Sequence, residues 1–399
     1  MAVGVQADAS APSLTGETGG RRPGVPIRPR SFHAGDALVL GAAVVSAFCL
    51  VWLVYRQLLA LPGTPGFLFC WYATFLATYW LAVHELRGGL IAKDAVMTVL
   101  ISTAAAAMLV PLVMIISYVL YKGVGVIRPH FFFGSAQFCG QLSPAACGGV
   151  GHAIVGTLEQ VGLGVVIAVP LAVLCAVFVN EIGGPLERPV HLIIDAMSGV
   201  PSIVAGLFIY AVWVVGFNRG FSGFGASLAL AILMLPIITR TSVEVLRLVP
   251  GGLREGALAL GASEWRTVWG VVLPTARSGL ITAVILGVAR AVGETAPLIL
   301  TSFGSSVFNA NPLSGAQEAL PHYVYQYIAF NPGTGPYQRA WAAAAVLTFM
   351  VLGLFTLGRL TGARLSVESR QRRAAKRERK QQLAAAVDAR DGVHPGTVA

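Results

Sequence analysis

The sequence predicts an all-α integral membrane protein with eight spans and both termini inside, and three observations carry that expectation. First, 55% of the 399 residues are hydrophobic, only 12% are charged, and the mean hydropathy is +0.72. A soluble chain of this length would have to display much of that as apolar surface. Second, eight apolar runs, near residues 37–59, 67–83, 95–121, 153–179, 191–216, 224–240, 276–303 and 340–360, are long enough to cross as helices; the hydrocarbon core they must span is roughly 30 Å thick. Third, the formal charge of +10 is spread along the chain in a regular way. With both ends inside, the outer loops hold only Arg56, Lys122, Arg128, Arg219 and Arg339, Arg290 lies within a span, and all other Lys and Arg are inside. That is the positive-inside pattern of a membrane protein, and it replaces nucleic acid as the explanation of the charge.

Taken in order, residues 1–35 are rich in Gly, Pro and Ala, with Arg21, Arg22, Arg28 and Arg30 and no apolar core before Ala37. They read as a disordered basic leader, not a cleavable signal peptide. Residues 36–91 form an additional N-terminal hairpin of two spans, with Pro62, Gly63 and Pro65 at its turn. Residues 92–362 then make a six-helix core with two long outer loops, 122–152 and 304–339, and an inner hairpin at 251–274. The basic tail, 363–399, is cytoplasmic in this scheme and suits anionic lipid headgroups or a topology anchor. Cys49, Cys70 and Cys175 fall in apolar spans and act as small hydrophobes. Cys139 and Cys147 share one outer loop, where an oxidising exterior would permit a disulfide, although spacing alone does not fix the Cα geometry.

The inner hairpin has the pattern of a docking element. Leu253, Ala257 and Leu260 share a helical side, Gly261 offers a C-cap where positive φ is cheap, and Ser263 is placed to N-cap a second helix carrying Trp265, Val268, Trp269 and Val272. Pro274 marks entry to the seventh span. Small residues leave the first helix smooth for another protein's groove, and the tryptophans supply an apolar anchor. The same residue types also suit a hairpin lying in the headgroup belt.

No catalytic chemistry is legible. The four lysines, Lys93, Lys122, Lys376 and Lys380, stand in no GxxxxGK[ST] loop, and His84-Glu85 lacks the second His of a HExxH metal site. There is no GxSxG elbow. Neither a metal site nor a cofactor motif is expected.

Charge inside the membrane points to function by default, since an ionisable group there costs about 2.5–3.5 kcal/mol on insertion scales. Arg290 and Glu294 lie four residues apart in the seventh span and can pair. Arginine suits an oxyanion because its planar fork donates two parallel hydrogen bonds and stays charged. Glu294 would hold the guanidinium until an anion arrives, or gate it by repulsion; the plainer alternative is a permanent structural pair. Arg240 closes the sixth span, with Glu244 and Arg247 on the same side. In the fifth span Asp195 precedes Ser198, Gly199, Pro201 and Ser202, where Gly and Pro loosen a helix toward a cavity or simply kink it for packing.

Several strings occur together and in order: GTL (156–158), DAMSGVPSIVAGLF (195–208), RTSVEVLRLVP (240–250), REGALALGASEWRTVWGVVLP (254–274) and ARAVGETAPLILT (289–301). The fourth, with Glu255, Ala257, Gly261, Leu273 and Pro274 at their spacing, resembles the EAA loop of ABC importers, departing only by Gly256 for Ala and Val271 for Ile. Together they resemble the PstA-type permease of the bacterial phosphate ABC importer over roughly residues 92–360. The GETAP ending is PstA-like; a PstC-like sister more often continues GET with Met. The resemblance implies a type I ABC-importer transmembrane domain, its core at about 150–360, in the bacterial cytoplasmic (inner) membrane. It implies a heterodimer with a PstC-like permease, a PstB-like ATPase dimer docked through Glu255, Ala257, Gly261, Trp265, Leu273 and Pro274, and a PstS-like binding protein delivering phosphate. Arg240, Arg290 and Glu294 match charged positions near the family's translocation path, with Asp195, Ser198, Ser202 and Thr295 as secondary candidates. Rival readings are a permease for sulfate or molybdate, which leaves SGVPSIV and GETAP unexplained, and a membrane sensor or scaffold in phosphate signalling using the basic tail.

Overall fold

The computed structural model describes residues 34–59, 62–140, 142–330 and 334–360. The basic tail and nearly all of the leader lie outside them. Among the described residues seven helices are long and apolar enough to cross a membrane, eight if one sharply bent pair counts as a span. They fall into two compact units that meet at Val110 and Pro111.

The first unit comprises α1 (Ala34–Val51), α2 (Thr64–Arg87) and the first part of α3 (Gly89–Gly123). Pro65 lies in the opening turn of α2, where its missing N–H has no partner to lose. Gly88, at φ 91°, lets α2 stop and α3 start across one residue. Ala43, Ala47, Phe75, Tyr79, Val83 and Ala92 form the core, and Phe48 sits edge-on to Phe67 and Trp71.

The second unit is built on α5 (Gly151–Val177) packed along α8 (Gly223–Arg247). Small residues line the seam: Ala168, Ala172, Ala226 and Ala231 are buried against Leu230, Met234 and Ile238. In a bilayer, where lipid is as apolar as leucine, close backbone approach replaces the hydrophobic effect as the source of packing energy. Pro236 lies inside α8, which runs on past Arg240 to Arg247 instead of ending there.

Two expected spans are not simple rods. The fifth divides into α6 (Glu187–Ser198) and α7 (Ser202–Ile209), which with its π-helical extension to Gly216 makes an angle of 104° with α6. Pro201 bars αR from Val200 and has no N–H to continue the ladder, so the chain turns instead of kinking. The seventh starts earlier and ends earlier than its hydropathy suggests. The continuous span is Glu264–Val292, combining α10 (Glu264–Thr267), a π-helical turn at Val268–Val272 and α11 (Leu273–Val292). The wider turn comes just ahead of Pro274, which has no N–H to give. A separate α12 (Ala296–Thr301) follows, pressed so closely on α7 that a Cβ on Gly206 would lie 2.6 Å from the Pro297 Cα.

At one end of this unit, α4 (Pro129–Phe133), α13 (Leu320–Phe330) and α14 (Gly335–Leu360) close a second core containing Phe131, Val150, Leu320 and Tyr323. Cys139 and Cys147 are joined there, their Cα atoms 5.9 Å apart. Arg339, 1% exposed, donates from Nη1 to the carbonyls of Pro144 (3.0 Å) and Cys147 (2.9 Å). The chain before α13 is tucked against α5 and α8. The Leu320 N–H donates to the Thr157 hydroxyl (2.8 Å), Gln160 Nε2 to Gln317 Oε1 (3.1 Å), and Gln317 Nε2 to Glu159 (2.5 Å). Burial pushes the Tyr323 phenol up to about 12 despite the nearby Arg339.

A Cβ on Gly156 would lie 1.9 Å from the Glu318 carbonyl oxygen, whereas Gly162 on the same helix faces open space. Gly156→Ala should therefore destabilise the protein by about 1–3 kcal/mol through overpacking, and Gly162→Ala should not. Thermal melting of the detergent-solubilised protein separates the two; equal melting temperatures would contradict the close packing.

Candidate functional site

The hairpin proper is α9 (Gly251–Ala259) followed by α10. Its turn closes as a Schellman motif, with Ala262 N–H to the Ala257 carbonyl at 3.1 Å and Gly261 N–H to Leu258 at 2.9 Å. Gly261 has φ +82°, which only glycine adopts cheaply. Ser263 Oγ accepts from the Arg266 N–H and caps α10. No residue of α9 is buried, and Glu255 is exposed. Leu260 is 90% exposed, Trp265 57% and Trp269 50%, the two indoles lying edge-on with centroids 5.4 Å apart. Ala257 and Leu273 are half-buried and Pro274 is exposed.

The second limb buries Thr267, Val268 and Val272, and what fixes the unburied α9 at its base is Arg254. Its Nε and Nη2 donate to the two carboxylate oxygens of Glu181 at 2.8 and 2.7 Å, while Nη1 and Nη2 also reach the Val249 and Leu246 carbonyls at 2.9 and 3.0 Å. Glu181 lies in the last turn of the π-helical extension of α5, Phe178–Ile182, just before Gly183 and Gly184, both at positive φ. An acidic group at a helix C-terminus and a basic group in the first turn of α9 are each unfavourable to the helix dipole; paired, they offset one another. The same guanidinium also bonds the Leu246 carbonyl in the last turn of α8 and the Val249 carbonyl just beyond it. Sequence reasoning missed Glu181. The only local signal is an acidic residue inside VNEIGG at a helix end, and nothing there names a partner 73 residues away.

The charged candidates divide into two groups. Arg240 Nη2 donates to Asp195 Oδ1 at 2.5 Å, bridging α8 and α6 across 45 residues. Glu244 pairs with Arg247 at 3.0 Å, not with Arg240. These four and His191 line a cavity of about 550 Å³. Arg240 and Asp195 are both more than half exposed, so their pair adds little to stability. Arg290 and Glu294 approach to only 3.6 Å, too long for a charge-assisted hydrogen bond. They are not on one helix, since α11 ends at Val292 and Glu294 lies in the break before α12. Arg290 is 59% exposed and Glu294 16%. Ser198 donates to the Ile194 carbonyl within α6, Ser202 opens α7, and Thr295 immediately precedes α12. Among the described residues no group of three or more His, Cys, Asp or Glu is placed to hold a metal.

Residues 168–366 match the pattern of a binding-protein-dependent transport system inner membrane component. The phosphate transport system permease protein PstA of Mycobacterium leprae is 38% identical over 268 residues, covering 67% of this chain and 87% of that protein. The chain belongs to the PstA permease family. PstA of Haemophilus influenzae is 36% identical, covering 60% of this chain and 83% of that one. An inward-facing structure of the MetNI methionine ABC transporter aligns at TM-score 0.44 and 23% identity, over 54% of this chain and 94% of the other. By its family, this PstA-type chain is an inner-membrane permease subunit of a binding-protein-dependent phosphate transport system, and its helices have the length and polarity that role requires.

Glu181 has a side chain only 6% exposed and Arg254 one 24% exposed. Arg254→Met alone should cost about 3 kcal/mol by leaving a buried carboxylate unpaired, and adding Glu181→Leu should recover most of it. A double-mutant cycle in thermal melts checks this; strictly additive losses would show that the pair is not coupled.

Proposed function

We propose that this PstA-type permease forms half of the phosphate pathway of an ATP-driven importer, with a PstC-like permease as the other half. A PstB-like ATPase dimer drives it through the 251–274 hairpin, and a PstS-like protein delivers phosphate. The observation that supports the coupling role is the hairpin itself: a rigidly capped helix pair with no buried face on α9, held at its base by a bidentate ion pair and presenting Leu260, Trp265 and Trp269. A helix that buries nothing in its own chain gains its packing energy from another. Family membership supports phosphate as the cargo over sulfate or molybdate.

In this reading, ATP binding closes the ATPase pair and moves the hairpin. Because α10 continues without a break into the span ending at Val292, the displacement reaches Arg290 and Glu294 at its far end. Arg290, loosely held at 3.6 Å, retains donors for an oxyanion, while Glu294 restrains it between cycles. Arg240 and Asp195 form a latch at the bend between α6 and α7, which passing phosphate opens by exchanging one carboxylate partner for another anion. Ser198, Ser202 and Thr295 flank these breaks and supply hydroxyls there.

Arg290→Gln should reduce radiolabelled phosphate uptake to background with the four-part complex still assembling; uptake at the original rate would remove Arg290 from the pathway. Glu255→Arg, or Gly261→Trp at a position that only glycine occupies without strain, should abolish substrate-stimulated ATP hydrolysis while leaving membrane insertion intact. Normal co-purification and stimulation of the ATPase by both variants would contradict the docking role.

A further inference from the structure

We propose that the N-terminal unit contains a lipid site, in which the groove between α1, α2 and α3 takes one acyl chain of a phospholipid whose amine-bearing zwitterionic headgroup is held by Arg87 and Asp94. The groove has a volume of about 500 Å³ and an apolar lining that includes Val39, Leu40, Phe75 and Val99. No step proposed for transport uses it.

Its polar groups are sorted by depth. Asp36 is in the first turn of α1, Arg87 ends α2, and Asp94 is in the second turn of α3. Since α2 and α3 are separated by Gly88 alone and Arg87 is paired with Asp36, all three charges lie at one mouth of the groove. Deeper in, the threonines are already satisfied: Thr98 donates to the Asp94 carbonyl at 2.8 Å, and Thr103 to the Val99 carbonyl at 2.9 Å. The interior therefore asks a ligand for hydrocarbon, and the mouth asks for charge.

The sign of that charge selects the headgroup. Two carboxylates face one guanidinium, and the exposed Asp94 carboxylate has no partner among the described residues. An ammonium donates three hydrogen bonds to such a group, and the adjacent phosphate takes Arg87, whose fork suits it. A purely anionic headgroup would meet a net negative mouth. Length fits an acyl chain: from Asp94 to Ala106 the groove runs about 18 Å at 1.5 Å per residue, roughly one leaflet deep.

The test uses the full-length chain purified with its partner subunits from membranes containing both ethanolamine and glycerol phospholipids, with retained lipid measured by mass spectrometry against the bulk. The expected result is enrichment of the ethanolamine lipid, cut about tenfold by Asp94→Asn through loss of a charge-assisted bond. Val99→Trp, which fills the groove, should remove bound lipid of either kind, and unchanged phosphate uptake under Asp94→Asn would separate this site from the transport path. A retained-lipid ratio equal to that of the bulk membrane, enrichment of the anionic lipid, or insensitivity to Asp94→Asn would overturn the proposal. So would a cysteine cross-link from Ser102→Cys to a partner subunit's helix.

Discussion

Arg254 joins three elements through one side chain. Its guanidinium neutralises Glu181 at the end of the α5 extension, bonds the Leu246 and Val249 carbonyls at and just past the end of α8, and belongs to the first turn of α9. Because α9 buries nothing of its own, its direction is set by this clamp and by the continuous helix that follows. Lysine could not substitute: a compact ammonium has no planar fork to meet a carboxylate in parallel while still reaching two carbonyls. The proposed coupling role of the hairpin rests on a root that is stiff on one side and a far limb that runs unbroken into a transmembrane helix.

The remaining functional geometry is set by where helices stop. Pro201 turns the fifth span through 104°, and the Gly293-Glu294-Thr295 break separates α11 from α12. Each break frees backbone groups that lipid cannot satisfy, and such breaks are tolerated only where protein or a water-lined cavity takes them up. Here the two broken segments cover each other, with Gly206 of α7 under Pro297 of α12. Asp195, Arg290 and Glu294 all lie near these breaks. The long chain before α13 is similarly sealed, its Gln317 and Leu320 bonded to α5.

The charged candidates were legible as residues but not as partnerships. The sequence marked Arg240, Asp195, Arg290 and Glu294, and placed Glu244 and Arg247 on the side of Arg240 without naming a partner; the fold gives Arg240 Asp195 and leaves Glu244 to Arg247. It read Arg290 and Glu294 as one helical face, whereas the pair spans a helix end. Glu181 carried only the weak signal of an acidic residue at a helix end, and nothing that named its partner. Spacing rules report neighbours within about a turn, and none of the cross-helix pairings is of that kind.

What the amino-acid order determined alone was everything that depends on local composition and short-range geometry. The membrane-spanning runs follow from hydropathy, the hairpin's two helices and its turn from Gly261 and Ser263, and the family from motifs that recur in order. Tertiary structure alone decided which helix ends meet: Glu181 with Arg254 over 73 residues, Asp195 with Arg240 over 45, and Arg339 beneath the Cys139–Cys147 loop over 192. The reason is physical. Hydrogen-bond ladders and helix caps close within a few residues and leave a periodic trace in the chain. A buried guanidinium's choice of carboxylate depends on how whole helices pack, and helix packing leaves no such trace.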